Sequence, residues 1–341
     1  MTTTLITGAG LIGCLTARLL ADRGDSVVLL DKRPHREAVA SVLGADSRVA
    51  LIEADVTDFD SLRALAEQHQ VKSVVHTAAL LSTAIRRTPL AGVQVNVMGC
   101  ANLLELARVR ALRRVVLASS ATVAYPAFPA HDAAREPSGI AEDFALRFLT
   151  HRPTSIYAAT KCFNEQLALL YRDLYGVSAV ALRYGAVIGA WDGPQTSVPG
   201  RLLSRLIGAG QRGHPALIDD PLLAWRGGEE FVDARDCATA NVAALDAAAP
   251  AQGVYNVGSG EASRFDDVVT AVRALHPRLQ VQLTVEPSGG FAGFPHLRPA
   301  PSDISAAARE LGWAPRHQLA DSVRHFAPWF ADPTDSSAMA S

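Results

Sequence analysis

Apolar positions in the first half of the chain alternate between two periods. Short consecutive aliphatic runs read as strands: Leu5-Ile6-Thr7, Ser26 to Leu30, Val49 to Glu53, Val74-Val75-His76, Arg114 to Ala118 and Val177 to Leu182. The stretches between them carry apolar residues at helical spacing. Leu11, Leu15, Leu19 and Leu20 mark a helix to about Arg23, and others follow over Ser61 to His69, Val93 to Arg108 and Tyr157 to Tyr175. Continuous aliphatic strands separated by helices predict an α/β fold, a Rossmann-type doubly wound parallel sheet covered on both faces.

The second half is less regular. Gly, Pro and Trp are frequent between Gly185 and Gly228, around a helical segment from Pro199 to Gly208. Asp236 to Ala248 reads as a helix and Gly253 to Val257 as a strand. The pattern predicts that the chain leaves the sheet near Arg183, returns from about Phe231 to Gly258, and leaves again. Residues 1–182 with 231–258 then form a nucleotide-fold unit. Residues 183–230 with 259–330 form a smaller mixed substrate region, and 331–341 a small, polar, flexible tail. There is no fixed-period repeat.

Composition narrows the function classes. Apolar residues make up 49% and charged residues 19%, enough for a sizeable core. The net charge of −2 offers no field for nucleic acid or an anionic membrane. Cys14, Cys100, Cys162 and Cys237 are scattered, which predicts no metal site and no disulfide framework and suits a reducing cytoplasm. The first strand begins at Thr4 and leaves no room for a signal peptide, and no uninterrupted apolar run spans a bilayer. A soluble cytoplasmic protein acting on a small molecule is expected.

Thr7-Gly8-Ala9-Gly10-Leu11-Ile12-Gly13 places G-x-G-x-x-G between a strand and a helix. The first glycine makes a tight turn, the second lets backbone amides reach a pyrophosphate, and the third lets helix and strand pack closely. Asp31 ends the second strand, about 20 residues on, where a carboxylate accepts hydrogen bonds from ribose hydroxyls and repels a 2′-phosphate. That predicts NAD rather than NADP, although Lys32, Arg33 and Arg36 stand close by. Asp55-Val56, after the third strand, lies where an acid can reach the adenine amino group, or can simply cap the next helix.

Tyr157 and Lys161 lie at i and i+4, on one helix face. A phenol titrates near about 10. An adjacent ammonium and an oxidised nicotinamide both lower that value, so the phenol can exchange a proton with a hydroxyl while a hydride moves. Ser120 follows a strand on the sheet's ligand-binding edge, where its hydroxyl can bond the reacting oxygen.

With these motifs the chain resembles the extended short-chain dehydrogenase/reductase family, which includes UDP-galactose 4-epimerase and sugar-nucleotide dehydratases. The resemblance rests on His76-Thr77-Ala78-Ala79, Val95-Asn96-Val97, Ser119 to Val123, Tyr157/Lys161, Leu182-Arg183-Tyr184, Phe231-Val232-Asp233, Tyr255 to Gly260 and Leu311-Gly312-Trp313. It implies Ser120, Tyr157 and Lys161 as catalytic residues. Cofactor contacts would come from the glycine turn, Asp31, Asp55, Val56, Thr77, Ala78, Ala79, Asn96, Tyr157, Lys161 and Tyr184. Ser82, Ser120, Thr122 and Ala186 would meet the substrate. Asn96 is equally suited to stabilising a helix kink. The resemblance also implies a homodimer through the helices carrying Asn96 and Tyr157.

Several departures bear on substrate. The glycine turn is one residue shorter than the family's usual form. Ala186 stands where epimerases carry an Asn on the substrate diphosphate, and Glu229 where they carry an Arg. Arg226 or Arg298 could supply a basic contact instead. Ala121 and Thr122 replace the acidic pair of dehydratases, and Phe144 to Thr154 reads as an insertion. These departures favour an NAD-dependent dehydrogenase or reductase acting on a secondary alcohol or ketone of a small non-nucleotide substrate, such as a sugar acid, polyol or aromatic alcohol. A nucleotide-sugar epimerase ranks second. A dinucleotide-sensing regulator ranks last, because such proteins commonly lose the Tyr or Lys.

Overall fold

The computed structural model describes residues 2–44, 48–127, 139–143, 152–194, 197–295 and 297–330. The first half runs β1 (Thr3–Thr7), α1 (Leu11–Asp22), β2 (Ser26–Asp31), α2 (Arg36–Leu43), β3 (Val49–Glu53), α3 (Phe59–Gln68) and β4 (Val71–His76). Then come α4 (Ser82–Arg87), α5 (Pro89–Val93), a π-helical turn (Gln94–Met98), α6 (Gly99–Arg110), β5 (Arg114–Ser120), α7 (Ile156–Tyr175) and β6 (Ala179–Tyr184). The second half runs β7 (Ala186–Ile188), α8 (Val198–Arg212), β8 (Ala216–Ile218), β9 (Glu229–Asp233), α9 (Ala234–Asp246), β10 (Val254–Val257), β11 (Ala262–Ser263), α10 (Phe265–Arg273), β12 (Val281–Leu283) and α11 (Leu319–Phe326).

Seven strands form one parallel sheet in the order β10-β6-β5-β4-β1-β2-β3. Both faces are buried, as the aliphatic runs predict. Leu5, Val28, Leu30, Val74, Val115 and Leu117 point to the side covered by Leu62, Leu103, Leu104 and Ala168. Their neighbours Ile6, Val27, Leu29, Val75, Val116 and Leu182 point to the other side, against Cys14, Ala17, Leu20, Cys237, Ala240 and Ala244. That two-residue alternation fixes strand register, since a one-residue slip would exchange the two cores.

Local signals set the helix ends. Ser155 caps α7, accepting from the Ala158 amide at 3.1 Å, and Gly176 closes it at φ +66. Ser197 caps α8 in the same way, with Pro199 in its first turn. The helices from Pro89 to Arg110 form one stretch long and apolar enough by length and composition to cross a bilayer, but Gln94, Asn96, Asn102 and Glu105 interrupt it, so it is not an uninterrupted apolar run. In this fold Cys100, Leu103, Leu104 and Leu106 of that stretch are fully buried against the sheet.

The second half differs from its sequence reading at β9. Rather than returning to the main sheet, β9 pairs with β7 and β11 in a separate three-stranded sheet. Parallel pairing of Ala186 to Ile188 with Phe231 to Asp233 holds β7 beside β9, and Gly185 permits the approach, since a Cβ there would lie 2.7 Å from the Glu230 carbonyl oxygen. The chain rejoins the main sheet through β10, while α9 packs on α1 with Asn241 Nδ2 donating to Thr16 Oγ1 at 3.0 Å. A third core joins α8, α10 and α11 around Trp225, Phe231 and Phe291. Of the segment Phe144 to Thr154, residues 144–151 lie outside the described residues, as does the tail 331–341.

Asp236, buried in α9, anchors the C-terminal segment. Its carboxylate accepts from the amides of Arg316 and His317 at 3.0 and 2.9 Å and bonds His317 Nδ1 at 2.9 Å. Removing it strands three polar groups, each costly when unsatisfied. Asp236→Ala should cost about 3 kcal/mol in denaturant unfolding, and a change below roughly 0.5 kcal/mol would show that the segment docks without it.

Candidate active site

Strand order reverses between β1 and β4, so the crevice of the sheet opens at their C-terminal ends. Gly8 follows β1 at φ +96, and a Cβ there would come within 2.5 Å of the Ala78 nitrogen. The Thr77 and Ala78 amides both donate to the Thr7 carbonyl at 2.8 Å, and Thr77 Oγ1 donates to it at 2.9 Å. A Cβ on Gly13 would meet the Gly8 carbonyl oxygen at 2.0 Å, whereas one on Gly10 would meet nothing within 4 Å. Thus two glycines are required by packing, and the middle one opens a space at the start of α1. No side chain caps α1 among the described residues, so its first amides remain available to an anion. Leu11 and Ile12 sit half-buried on that first turn.

Asp31 stands at the same corner, one oxygen accepting from the Ala9 amide and the other from the Arg33 amide, each at 2.9 Å. Of the nearby basic residues, Lys32 is engaged by Asp55 at 2.7 Å, and Arg33 and Arg36 are exposed. Asp55 also accepts from the Thr57 amide and hydroxyl at 2.9 and 2.8 Å, which makes it a turn-forming acid in this fold. Val56 is buried beneath Gly99, and its carbonyl accepts from Asn102 Nδ2 at 3.0 Å. Ala79 is half-buried after β4. The open glycine turn, uncapped helix and oriented carboxylate fit a dinucleotide.

The proton-handling side chains come from two elements. Ser120 ends β5, and Tyr157, Lys161 and Glu165 lie at i, i+4 and i+8 on one face of α7. The Thr122 hydroxyl donates to Ser120 Oγ at 3.0 Å. Burial pushes the Tyr157 phenol up to about 12, against a hydrogen bond with Ser120 that draws it down. Burial thus outweighs the Ser120 hydrogen bond, and the lowering expected from a bound oxidised nicotinamide would act against it. Lys161 Nζ turns to the Ala118 carbonyl at 2.6 Å and lies 5.7 Å from the Tyr157 ring centroid. Burial lowers its pKa to about 8, opposed by Cys100 and Glu165.

Glu165 carries no signal in the sequence beyond its place in the i, i+4, i+8 series. It is buried, accepts from Ser119 Oγ at 2.5 Å, and holds Arg183 through two bonds at 2.9 and 2.8 Å. Arg183 also donates to the Glu142 carbonyl at 2.7 Å. Asn96, read from the sequence as a cofactor contact or as a stabiliser of a helix kink, has its carboxamide engaged at the kink. It lies in the π-helical turn, its carboxamide bonding both backbone groups of Leu80 at 2.8 and 3.1 Å and Thr160 Oγ1 at 3.2 Å. Tyr184 turns its hydroxyl into the core, donating to Asn241 at 2.6 Å, so only its ring is left to line a ligand.

A cavity of about 150 Å³ adjoins Ser120 and Tyr157. Ser82, Thr122, Tyr184 and Ala186 line it, together with Tyr125, Ser197, Phe291 and Phe294, which the sequence did not single out. Behind Tyr125 lies a buried ionic network. Tyr125 donates to Glu229 Oε2 at 2.6 Å, and Arg298 donates to Glu229 at 3.2 Å, Glu230 at 2.6 Å, Ser302 at 2.7 Å and the Ala300 carbonyl at 2.9 Å. Burial pushes the Glu229 carboxyl up, with the Arg298 charge opposing it. Arg298, expected as a basic substrate contact, is instead saturated by acids. Arg226 is exposed and pairs with Glu286 at 2.8 Å.

Residues 4–258 match the NAD dependent epimerase/dehydratase family. The chain is 28% identical to UDP-glucuronate 4-epimerase 4 of Arabidopsis thaliana, over 96% of this chain and 75% of that one. It is 31% identical to UDP-glucose 4-epimerase of Mycolicibacterium smegmatis, over 96% and 98%. Among solved structures, UDP-glucose-4-epimerase from Stenotrophomonas maltophila, with bound NAD and formylated UDP-arabinopyranose, aligns at TM-score 0.78 and 23% identity over all of both chains. A GalE-like L-threonine dehydrogenase from Cupriavidus necator aligns at 0.75 and 24%, over 95% and 99%. At these identities the two structures speak for the fold alone.

The Lys161 shift has a consequence for stability. Below about 8 both folded and unfolded chains hold the proton, and the fold bears the full cost of a buried ammonium. Between about 8 and 10.5 the unfolded chain binds more protons, so stability rises with pH. Lys161→Met should therefore stabilise the protein without added dinucleotide by about 1–3 kcal/mol at neutral pH and abolish that rise. Destabilisation by Lys161→Met in chemical denaturation would contradict this.

Proposed function

The chain belongs to the NAD dependent epimerase/dehydratase family, and within it we propose that the protein transfers a hydride between NAD and a hydroxyl-bearing carbon of a small non-nucleotide substrate. The observation that carries this reading is the substrate end of the site. Among the described residues no cationic side chain lines the cavity, and the buried guanidinium of Arg298, behind Tyr125, is held by two carboxylates. Among the described residues a diphosphate in this cavity would have no side-chain cation to pair with, whereas at the glycine turn the backbone amides of α1 can meet a pyrophosphate.

The glycine turn would hold the pyrophosphate, Asp31 the adenosine ribose, and Lys161 the nicotinamide ribose. Bound NAD supplies the hydride acceptor and, when oxidised, a positive charge beside the phenol. Ser120 and Tyr157 hydrogen-bond the substrate hydroxyl. As the carbon–hydrogen bond breaks and its electron pair departs with the hydride, Tyr157 takes the hydroxyl proton and a carbonyl forms. Desolvation favours the neutral phenol, so the positive charges of Lys161 and the bound nicotinamide would be what stabilises the phenolate form of Tyr157, which loses its own proton to solvent before it takes the hydroxyl proton. In the reductive direction Tyr157 returns the proton to the carbonyl oxygen.

A second reading, a nucleotide-sugar 4-epimerase, is supported by the names of the relatives, which favour it over the small-substrate reading. It requires the substrate diphosphate to bind beside Ala186 and Glu229. NADH absorbance separates the two: small alcohols should give net NADH, whereas UDP-glucose converted without net NADH would establish the second. Tyr157→Phe should lower turnover by about 10²–10⁴-fold while dinucleotide binding persists. Retained turnover would remove Tyr157 from the mechanism.

We also propose a homodimer. Ile156, Phe163, Leu170 and Leu174 leave an exposed apolar stripe on α7, beside exposed Leu90, Val93, Met98 and Val109 of the neighbouring helices. Phe163→Glu with Leu174→Glu should halve the mass measured by light scattering, and an unchanged mass would place the interface elsewhere.

A further inference from the structure

The cavity combines three properties that together define a substrate class. Its volume, about 150 Å³ in a cleft that is partly open, is on the scale of one six-membered ring, since roughly 150 Å³ holds benzene. Among the described residues its polar side chains are hydroxyls: Ser82, Thr83, Ser120, Thr122, Tyr157 and Ser197 are each donor and acceptor and carry no formal charge at neutral pH. Its apolar lining includes the rings of Phe291 and Phe294, flat surfaces against which the C–H face of a saturated ring can pack.

The charge behind this cavity has a definite sign. Tyr125 forms part of the lining, with Phe294 edge-on to it at 5.1 Å between ring centroids. Its hydroxyl is tied to Glu229, and the network beyond sets one guanidinium, Arg298, against two carboxylates, Glu229 and Glu230. All three charged groups are buried, so solvent screens them little. Glu230 is further satisfied by the Ser302 amide at 3.0 Å, the Ser302 hydroxyl at 2.5 Å and the Gly260 amide at 2.9 Å. No cationic side chain lines the cavity among the described residues, Lys161 lies beyond the Tyr157 ring, and the two acids Glu229 and Glu230 share the one guanidinium of Arg298 behind Tyr125.

We infer that the substrate is a single uncharged ring, a neutral monosaccharide or cyclitol, that carboxylated and phosphorylated rings are excluded, and that Glu229 sets this charge rule. The inference rests on the small-substrate reading above and narrows it, removing sugar acids from the candidates. Hydroxyls of the ring find complementary side chains without any ion pair, and an amino substituent is tolerated where a carboxylate is not.

The test uses three probes that share one skeleton, D-galactose, D-galactosamine and D-galacturonate, together with UDP-glucose. NADH formation and calorimetric binding are measured on the full chain with NAD. The neutral and amino sugars should respond at least about tenfold more strongly than the carboxylate, and Glu229→Gln should narrow that gap. Galacturonate responding as well as galactose would overturn the charge rule and leave the small-substrate reading standing. A response to UDP-glucose alone would overturn both. No response to any probe would overturn the assignment to an uncharged ring. The wild-type comparison stands without the variant, and Glu229→Leu, which needs no hydrogen-bond partner, repeats the variant test if the amide misfolds. A gap unchanged in both folded variants would show that Glu229 does not set the rule.

Discussion

The site depends on one buried ion pair. Glu165 on α7 and Arg183 on β6 meet through two hydrogen bonds in a place where neither charge reaches solvent freely. The same carboxylate takes the Ser119 hydroxyl, next to Ser120, and Arg183 reaches the Glu142 carbonyl. One acid thus ties the strand that carries Ser120 to the helix that carries Tyr157 and Lys161. Burying two charges is costly, and such a pair often adds little net stability over apolar packing. What it supplies here is register: the planar guanidinium and carboxylate meet in only one orientation. The Glu165 charge also supports protonation of Lys161, whose burial opposes it.

The fold was legible because its signals are local and repeated. Aliphatic runs of strand length between amphipathic stretches can be buried on both faces only in a covered parallel sheet. The glycine turn was legible because each glycine answers a steric demand, visible at Gly8 and Gly13 as contacts no side chain could make. Spacing and a place at the sheet edge brought Tyr157, Lys161 and Ser120 forward as candidates, and the family resemblance implied their roles. The remainder depended on long-range pairing. Nothing in the sequence of β9 says that it pairs with β7, where Gly185 leaves room for the Glu230 carbonyl, rather than with the main sheet. The carboxamide of Asn96 bonds a loop sixteen residues away, so its place in the sequence alone did not separate a cofactor contact from a clamp. Arg298 read as a free basic group because its partners, Glu229 and Glu230, lie 69 and 68 residues earlier.

Two kinds of observation pull apart at the substrate end. Similarity to the curated relatives reflects the whole chain, most of which builds the cofactor fold, so it informs chemistry near NAD more than it informs the substrate. The cavity reflects a few side chains, and those present hydroxyls, aromatic rings and buried acid. The shared step, hydride removal from a carbon bearing a hydroxyl, is common to both readings. They diverge in the fate of the reduced cofactor: an epimerase must keep it to return the hydride, and a dehydrogenase must exchange it.

That fate can be measured directly. The nucleotide released by acid from protein purified through extensive gel filtration reports how firmly NAD is held. A dehydrogenase acting on a small substrate predicts little nucleotide remaining and reversible binding of added NAD. Near-stoichiometric NAD retained through filtration would contradict the account and favour a closed epimerase cycle.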